Sequence, residues 1–193
     1  SSGFIYAPEK RQKEIIYCGR IDFNQKRVYR LIDVWSFLEP IFPDWRLTIV
    51  GDGDARKDVE NRANTLKLQR VSFEGFQKPI EYYKRASILA LTSEYEGFPL
   101  VLAECMSFGV VPCVYDSFAA VRDIIVDGEN GLIVEKEGDK FSAKEMASRL
   151  TTIMSDGQKL DAMAQRAIET SKRYSIDSVY EQWINNLNRL MET

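Results

Sequence analysis

The chain has 193 residues, a formal charge of −3 and no histidine. That length suits one large domain or two small ones, and the charge supplies no cation excess for a dedicated nucleic-acid binder. Without histidine the commonest general base and every His-dependent triad or zinc site are excluded. No apolar run approaches the ~18–20 residues of a membrane span, and no signal-peptide pattern opens the sequence.

In chain order, "SSGFIYAPEKRQKE" reads as a polar lead-in over 1–14, its first three residues either native or a cloning remnant. "EIIYCGR" is a short apolar run ending in glycine, a buried strand. "RVYRLIDVWSFLEPIF" places Val28, Leu31, Ile32, Trp35 and Leu38 at helical spacing. "WRLTIVGDGD" is again an apolar strand entering a glycine turn, and "ARKDVENRANTLKL" a polar helix with Val59, Ala63 and Leu66 on one side. "RVSFEGF", "PIEYYKRA" and "SILALTSEYEGF" predict a strand, a short helix and a strand. "PLVLAECMSFG" is a helix, "VVPCVYD" and "NGLIVE" the last strands, and helices follow around 142–155, 157–171 and 176–191.

Alternating strands and helices predict an α/β fold, a Rossmann-like doubly wound sheet, mainly parallel and six-stranded, with helices on both faces and a C-terminal helix. Such sheets bind ligands beyond the carboxyl ends of their strands. Cys18, Cys105 and Cys113 lie in apolar stretches without metal-ligand spacing and read as buried thiols of a reducing compartment. The clusters Lys10, Arg11, Lys13 and Lys26, Arg27, Arg30 read first as solvated surface.

Unusual residues collect at the strand ends. In "SEYEGFPLVLAECMSFG", Gly97 frees a turn and Pro99 suits a first helical position, whose following amides can accept phosphate. Glu96 precedes that turn, and Glu104 lies about one helical turn inside, where an acceptor could hold a ribose diol. A helix-dipole charge and a paired surface residue fit the same pattern. In "GRIDFNQKR", Arg20 offers a planar fork and Lys26 a point charge, able to balance a diphosphate or to remain two surface cations. "IVGDGDARKD" only partly fits a dinucleotide fingerprint, because Arg56 stands at the third glycine position. It is either a turn admitting a ligand or a purely structural one.

These residues together resemble the C-terminal, donor-binding half of a family 4 retaining glycosyltransferase, over nearly the whole chain from Glu14 onward. "EGFPLVLAE" carries the resemblance, with "GRIDFNQK", "IVGDG" and "DGENGLIV" following the family order. The resemblance implies a two-Rossmann-domain hexosyltransferase-like enzyme using a nucleotide diphosphate sugar, UDP-linked by default, in polysaccharide biosynthesis. It implies catalytic roles for Arg20, Lys26 and Glu96. Arg20 and Lys26 would neutralise the leaving diphosphate in place of a metal, and Glu96 would meet the donor sugar. Glu104 would hold the ribose, Gly97, Phe98, Pro99, Leu100 and Val101 would surround sugar and phosphate, and Gly75, Phe76 and Gln77 would lie beside the base. Gly19, Gly51 and Gly53 complete the donor-binding set.

The same resemblance implies no cofactor beyond the donor and no metal. The partners it implies are an acceptor glycan or lipid and an acceptor-binding N-terminal domain of about 100–200 residues ahead of residue 1. The chain alone would then bind donor without transferring it. The donor domain would span 15–175, with the helix of 176–193 capping it or crossing to the N-terminal domain. The expected location is cytoplasmic, peripheral at the membrane face. Ala119 and Ala120 stand where the family often has a Gly-Gly turn. A 2-epimerase-like or phosphorylase-like enzyme of the same fold and a non-catalytic sugar-nucleotide module are the competing readings. An NAD-dependent oxidoreductase fits worst.

Overall fold

The computed structural model describes residues 4–96, 100–138 and 140–174. Its centre is one parallel sheet of β1 (Gln12–Cys18), β2 (Arg46–Val50), β3 (Val71–Gly75), β4 (Ala86–Leu91), β5 (Val111–Tyr115) and β6 (Leu132–Val134). The spatial order is β3-β2-β1-β4-β5-β6, every pair parallel. The order therefore reverses between β1 and β4, and the carboxyl ends of these two strands flank the switch point where such sheets bind ligands.

The inner strands read as unbroken apolar runs because both their faces are covered; β4 and β5 are buried at every position. Around them pack α1 (Tyr29–Leu38), α2 (Arg56–Thr65), α3 (Ile80–Tyr83), α4 (Leu100–Ser107), α5 (Ala120–Ile124), α6 (Ala143–Met154) and α7 (Gly157–Ser171). Helix α1 packs on α6 and α2, and α4 on α7. Val28, Leu31, Ile32, Trp35 and Leu38 are all buried, as their spacing predicts. In α2, Val59 and Ala63 are buried but Leu66 is exposed. The helix ends there, and Lys67 turns the chain away at φ 57°.

Several boundaries differ from expectation. The segment ahead of Glu14 is packed: β1 starts at Gln12, and the Phe4 and Phe108 ring centroids lie 5.0 Å apart. The Tyr6 hydroxyl donates to Asp161 Oδ1 at 3.0 Å. Five-residue α5 begins at Ala120, where the family pattern has a glycine turn; it is too short to show a helical period. Arg30, read as surface, is buried on α1. The three cysteines are free and buried, and burial raises the Cys18 and Cys113 thiols to about 12. The helix expected over 176–191 lies outside the described residues.

Candidate functional site

The loop leaving β1 and the loop leaving β4 meet at the switch point. Asp22 Oδ1 accepts the amides of Asn24, Gln25 and Lys26 at 3.0, 2.7 and 3.1 Å, closing a tight turn. Arg27 completes it in the left-handed region, at φ 47°, which costs a residue bearing a Cβ. The second loop is stitched to this turn: the Glu94 amide donates to the Gln25 carbonyl at 2.7 Å, and the Thr92 hydroxyl donates to the Arg27 carbonyl at 3.1 Å. Glu94 also pairs with Arg30 at 2.8 Å and Arg27 at 3.2 Å. Arg30 stacks over the Tyr115 and Phe141 rings at 5.3 and 4.9 Å, which explains how a buried guanidinium is accommodated.

This frame brings Lys26 to Glu96. Lys26 Nζ lies 2.5 Å from Glu96 Oε1, and Ser93 Oγ donates to the same oxygen at 2.7 Å. Tyr17, buried below, has its phenol pushed well above the usual range by burial and then by Glu96 and Asp22. Its hydroxyl donates to the Arg20 carbonyl at 2.5 Å, fixing the backbone where the Arg20 side chain departs into solvent. Among the described residues, the Arg20 guanidinium has the Asp54 carboxylate, 3.6 Å away, as its ion-pair partner.

A cavity of about 470 Å³ opens at the same end of the sheet. Gly19, Arg20, Gly51, Phe76, Gln77, Val101 and Glu104, all singled out in the sequence, line it. Cys18, Val50, Asp52, Pro79 and Tyr83 complete its wall. Phe76 is 87% exposed, a large ring left bare at the cavity edge. The floor is apolar and the rim carries Arg20, Asp52, Gln77 and Glu104, so a flat heterocycle and a polar, anionic tail could be held together.

Lys26, Glu96, Gly53, Gly75 and Leu100 do not line that wall. Leu100 and Val101 open α4, in the first turn, where amides have no partner inside the helix. Gly97, Phe98 and Pro99 lie outside the described residues. The glycines of the "GDG" turn have a structural use: a Cβ on Gly51 would stand 1.8 Å from the Gly19 carbonyl oxygen, and one on Gly53 2.2 Å from that of Ile21. The two loops are joined there by backbone bonds from Gly19 to Val50 and from Ile21 to Asp52. Among the described residues no cluster of three or more His, Cys, Asp or Glu gathers as a metal site.

Sequence reasoning missed Asp22 and Tyr83, and it gave Ser93 no role within the strand-end stretch. Asp22 carried a local signal, an Asx residue opening a turn two residues before an amide it can accept. Tyr83 carried none, since its place in the cavity depends on how α3 packs against β4.

Residues 3–170 match the family model for glycosyl transferases group 1. A Haemophilus influenzae protein named as an uncharacterized glycosyltransferase is 30% identical over 173 residues, covering 89% of this chain and 48% of that protein. The chain spans about half the length of the curated relatives it matches first. Among solved structures, the C-terminal domain of a glycosyl transferase group 1 family protein from Francisella tularensis superposes with a TM-score of 0.78 at 24% identity, covering 91% of this chain and 97% of that one. S. aureus TarM, in complex with UDP and other ligands, has a TM-score of 0.82 at 22% identity, covering 94% of this chain and 38% of that one.

Proposed function

Because the chain belongs to the glycosyl transferases group 1 family, we propose that it is the donor-binding half of a retaining glycosyltransferase, taking a hexose from a nucleotide diphosphate sugar to an acceptor glycan or lipid. The observation that carries this is the cavity at the carboxyl end of the sheet, between the β1, β2 and β3 ends and α4, where Arg20, Phe76, Gln77, Val101 and Glu104 converge on about 470 Å³. UDP is the donor carrier we infer, since it is the nucleotide in the TarM complex.

In this reading the base enters the apolar floor beside Phe76 and Gln77, and the ribose hydroxyls donate to Glu104. The diphosphate lies toward Arg20, Lys26 and the amides opening α4. Departure of the sugar leaves two negative charges on the terminal phosphate. Arg20 and Lys26 stabilise that developing charge more than the ground state, which is what acceleration requires. Glu96, drawn away from Lys26 or sharing it, meets the sugar. An acceptor-binding domain and a peripheral position at the cytoplasmic membrane face belong to the same proposal.

Calorimetric titration of the chain with UDP, ADP, GDP and uridine tests the donor reading. Saturable binding of a nucleoside diphosphate, weakened by Arg20→Ala or Lys26→Ala, is expected. Each charge-assisted contact should contribute about 1.5–3 kcal/mol. No binding of any nucleoside diphosphate overturns it.

A further inference from the structure

Lys26 owes its place to a residue to which none of the roles above is assigned. Asp22 Oδ1 gathers the amides of Asn24, Gln25 and Lys26 within 3.1 Å, and the Asp22 carbonyl accepts from the Arg27 amide at 3.0 Å. A chain bent this tightly forces Arg27 to φ 47°. A carboxylate that accepts several amides is a strong local clamp, and here it clamps the peptide from which the Lys26 side chain leaves.

We propose that Asp22 is a positioning residue for the donor diphosphate: its carboxylate sets the turn in which Lys26 Nζ reaches Glu96 at the switch point. The proposal rests on the donor reading of Lys26. Lysine is a long, flexible side chain whose ordering opposes binding unless it is completed beforehand. Two contacts share that task. Asp22 fixes the backbone from inside the turn, and the Thr92 hydroxyl and Glu94 amide tie the turn to the β4 loop from outside. Without the Asp22 carboxylate, the amides of residues 24–26 lose their common acceptor, and the ammonium loses its fixed origin. Asparagine keeps a side-chain oxygen at the same position, so it preserves the clamp while removing the charge.

The experiment is calorimetry with UDP and uridine on the parent chain, Asp22→Ala, Asp22→Asn, Lys26→Ala and the Asp22→Ala/Lys26→Ala double variant. Asp22→Ala should weaken UDP about tenfold and Asp22→Asn less than about threefold, with uridine unchanged throughout. The double variant should bind UDP no more weakly than Lys26→Ala, because Asp22 acts through Lys26. If Lys26→Ala weakens UDP and Asp22→Ala does not, positioning is overturned while the donor reading stands. If Lys26→Ala leaves UDP unchanged, the positioning role and the diphosphate role of Lys26 are both overturned, while UDP binding to the chain still supports the donor reading of the cavity. Loss of uridine and UDP alike in Asp22→Ala, or a further loss in the double variant, would show general support of the fold and overturn the proposal.

Discussion

Lys26 Nζ and Glu96 Oε1 are 2.5 Å apart, with 21% and 8% of the two side chains exposed, so each already holds the other's charge. One is proposed for the diphosphate and the other for the sugar, and this pairing couples the two tasks. Under that proposal, a phosphate reaching Lys26 would compete with Glu96 and release that carboxylate for a hydroxyl donor.

Glu96→Gln keeps the shape and removes the competing charge. Bare UDP should bind Glu96→Gln at least as tightly as the parent, because a negative charge near the phosphates is gone. A UDP-sugar should bind more weakly, by about 1.5–3 kcal/mol for a lost charged hydrogen bond. Calorimetry with both ligands gives the comparison, and equal losses for the two would contradict it.

Glu104, which lines the cavity, is proposed for the ribose, a part common to every donor. Glu104→Ala should weaken uridine, UDP and UDP-sugar by a similar factor, about 1.5–3 kcal/mol. Arg20→Ala, by contrast, should spare uridine. A Glu104→Ala variant that loses only phosphate-bearing ligands would move this residue to a different subsite.

Gly51 leaves no room for a side chain. Its φ is 141°, and a Cβ would meet the Gly19 carbonyl oxygen at 1.8 Å. Gly51→Ala must push the β1 and β2 loops apart, and should cost about 1–3 kcal/mol in urea unfolding and weaken UDP as well. A variant with unchanged stability would show that the loops part freely.

Lys67 ends α2 in the left-handed region at φ 57°, with its amide and that of Leu68 bonded back to Asn64 and Ala63. Glycine takes that conformation without the Cβ penalty. Lys67→Gly should raise stability by about 0.5–1 kcal/mol, read from the urea midpoint at constant slope. A lower midpoint would mean that the lysine stem contributes packing the turn needs.

Glu39 is a buried carboxylate whose pKa is nonetheless lowered. Burial pushes it up, but the Gln69 and Arg70 amides, the Trp35 indole and the Arg70 charge outweigh burial. A depressed folded value stabilises the protein above the unfolded carboxylate value of about 4.3, and that stability is lost as pH falls through the folded value. Chemical denaturation from pH 6 down to 3 should show a steeper decline for the parent than for Glu39→Gln. Parallel declines would remove Glu39 from the acid response.

The sequence by itself determined the six strands and, among the described residues, the helices between them apart from α5, because apolar runs of strand length and the 3.6-residue spacing in α1 are local signals. It placed the strand-end glycines, arginine and glutamates at one edge, since strands joined by helices in a parallel sheet all end on the same side. It also picked out Glu96 and Lys26, and a doubly wound sheet sets their strand ends side by side, but it did not pair the two charges. Only the tertiary structure paired them, across 70 positions of chain. The same packing buried Arg30 between Tyr115, Phe141 and Glu94, brought Tyr83 to the cavity, and gave Gly51 the Gly19 carbonyl as a neighbour. Those contacts join segments distant in sequence, and no local pattern encodes which side chains meet once the sheet has closed.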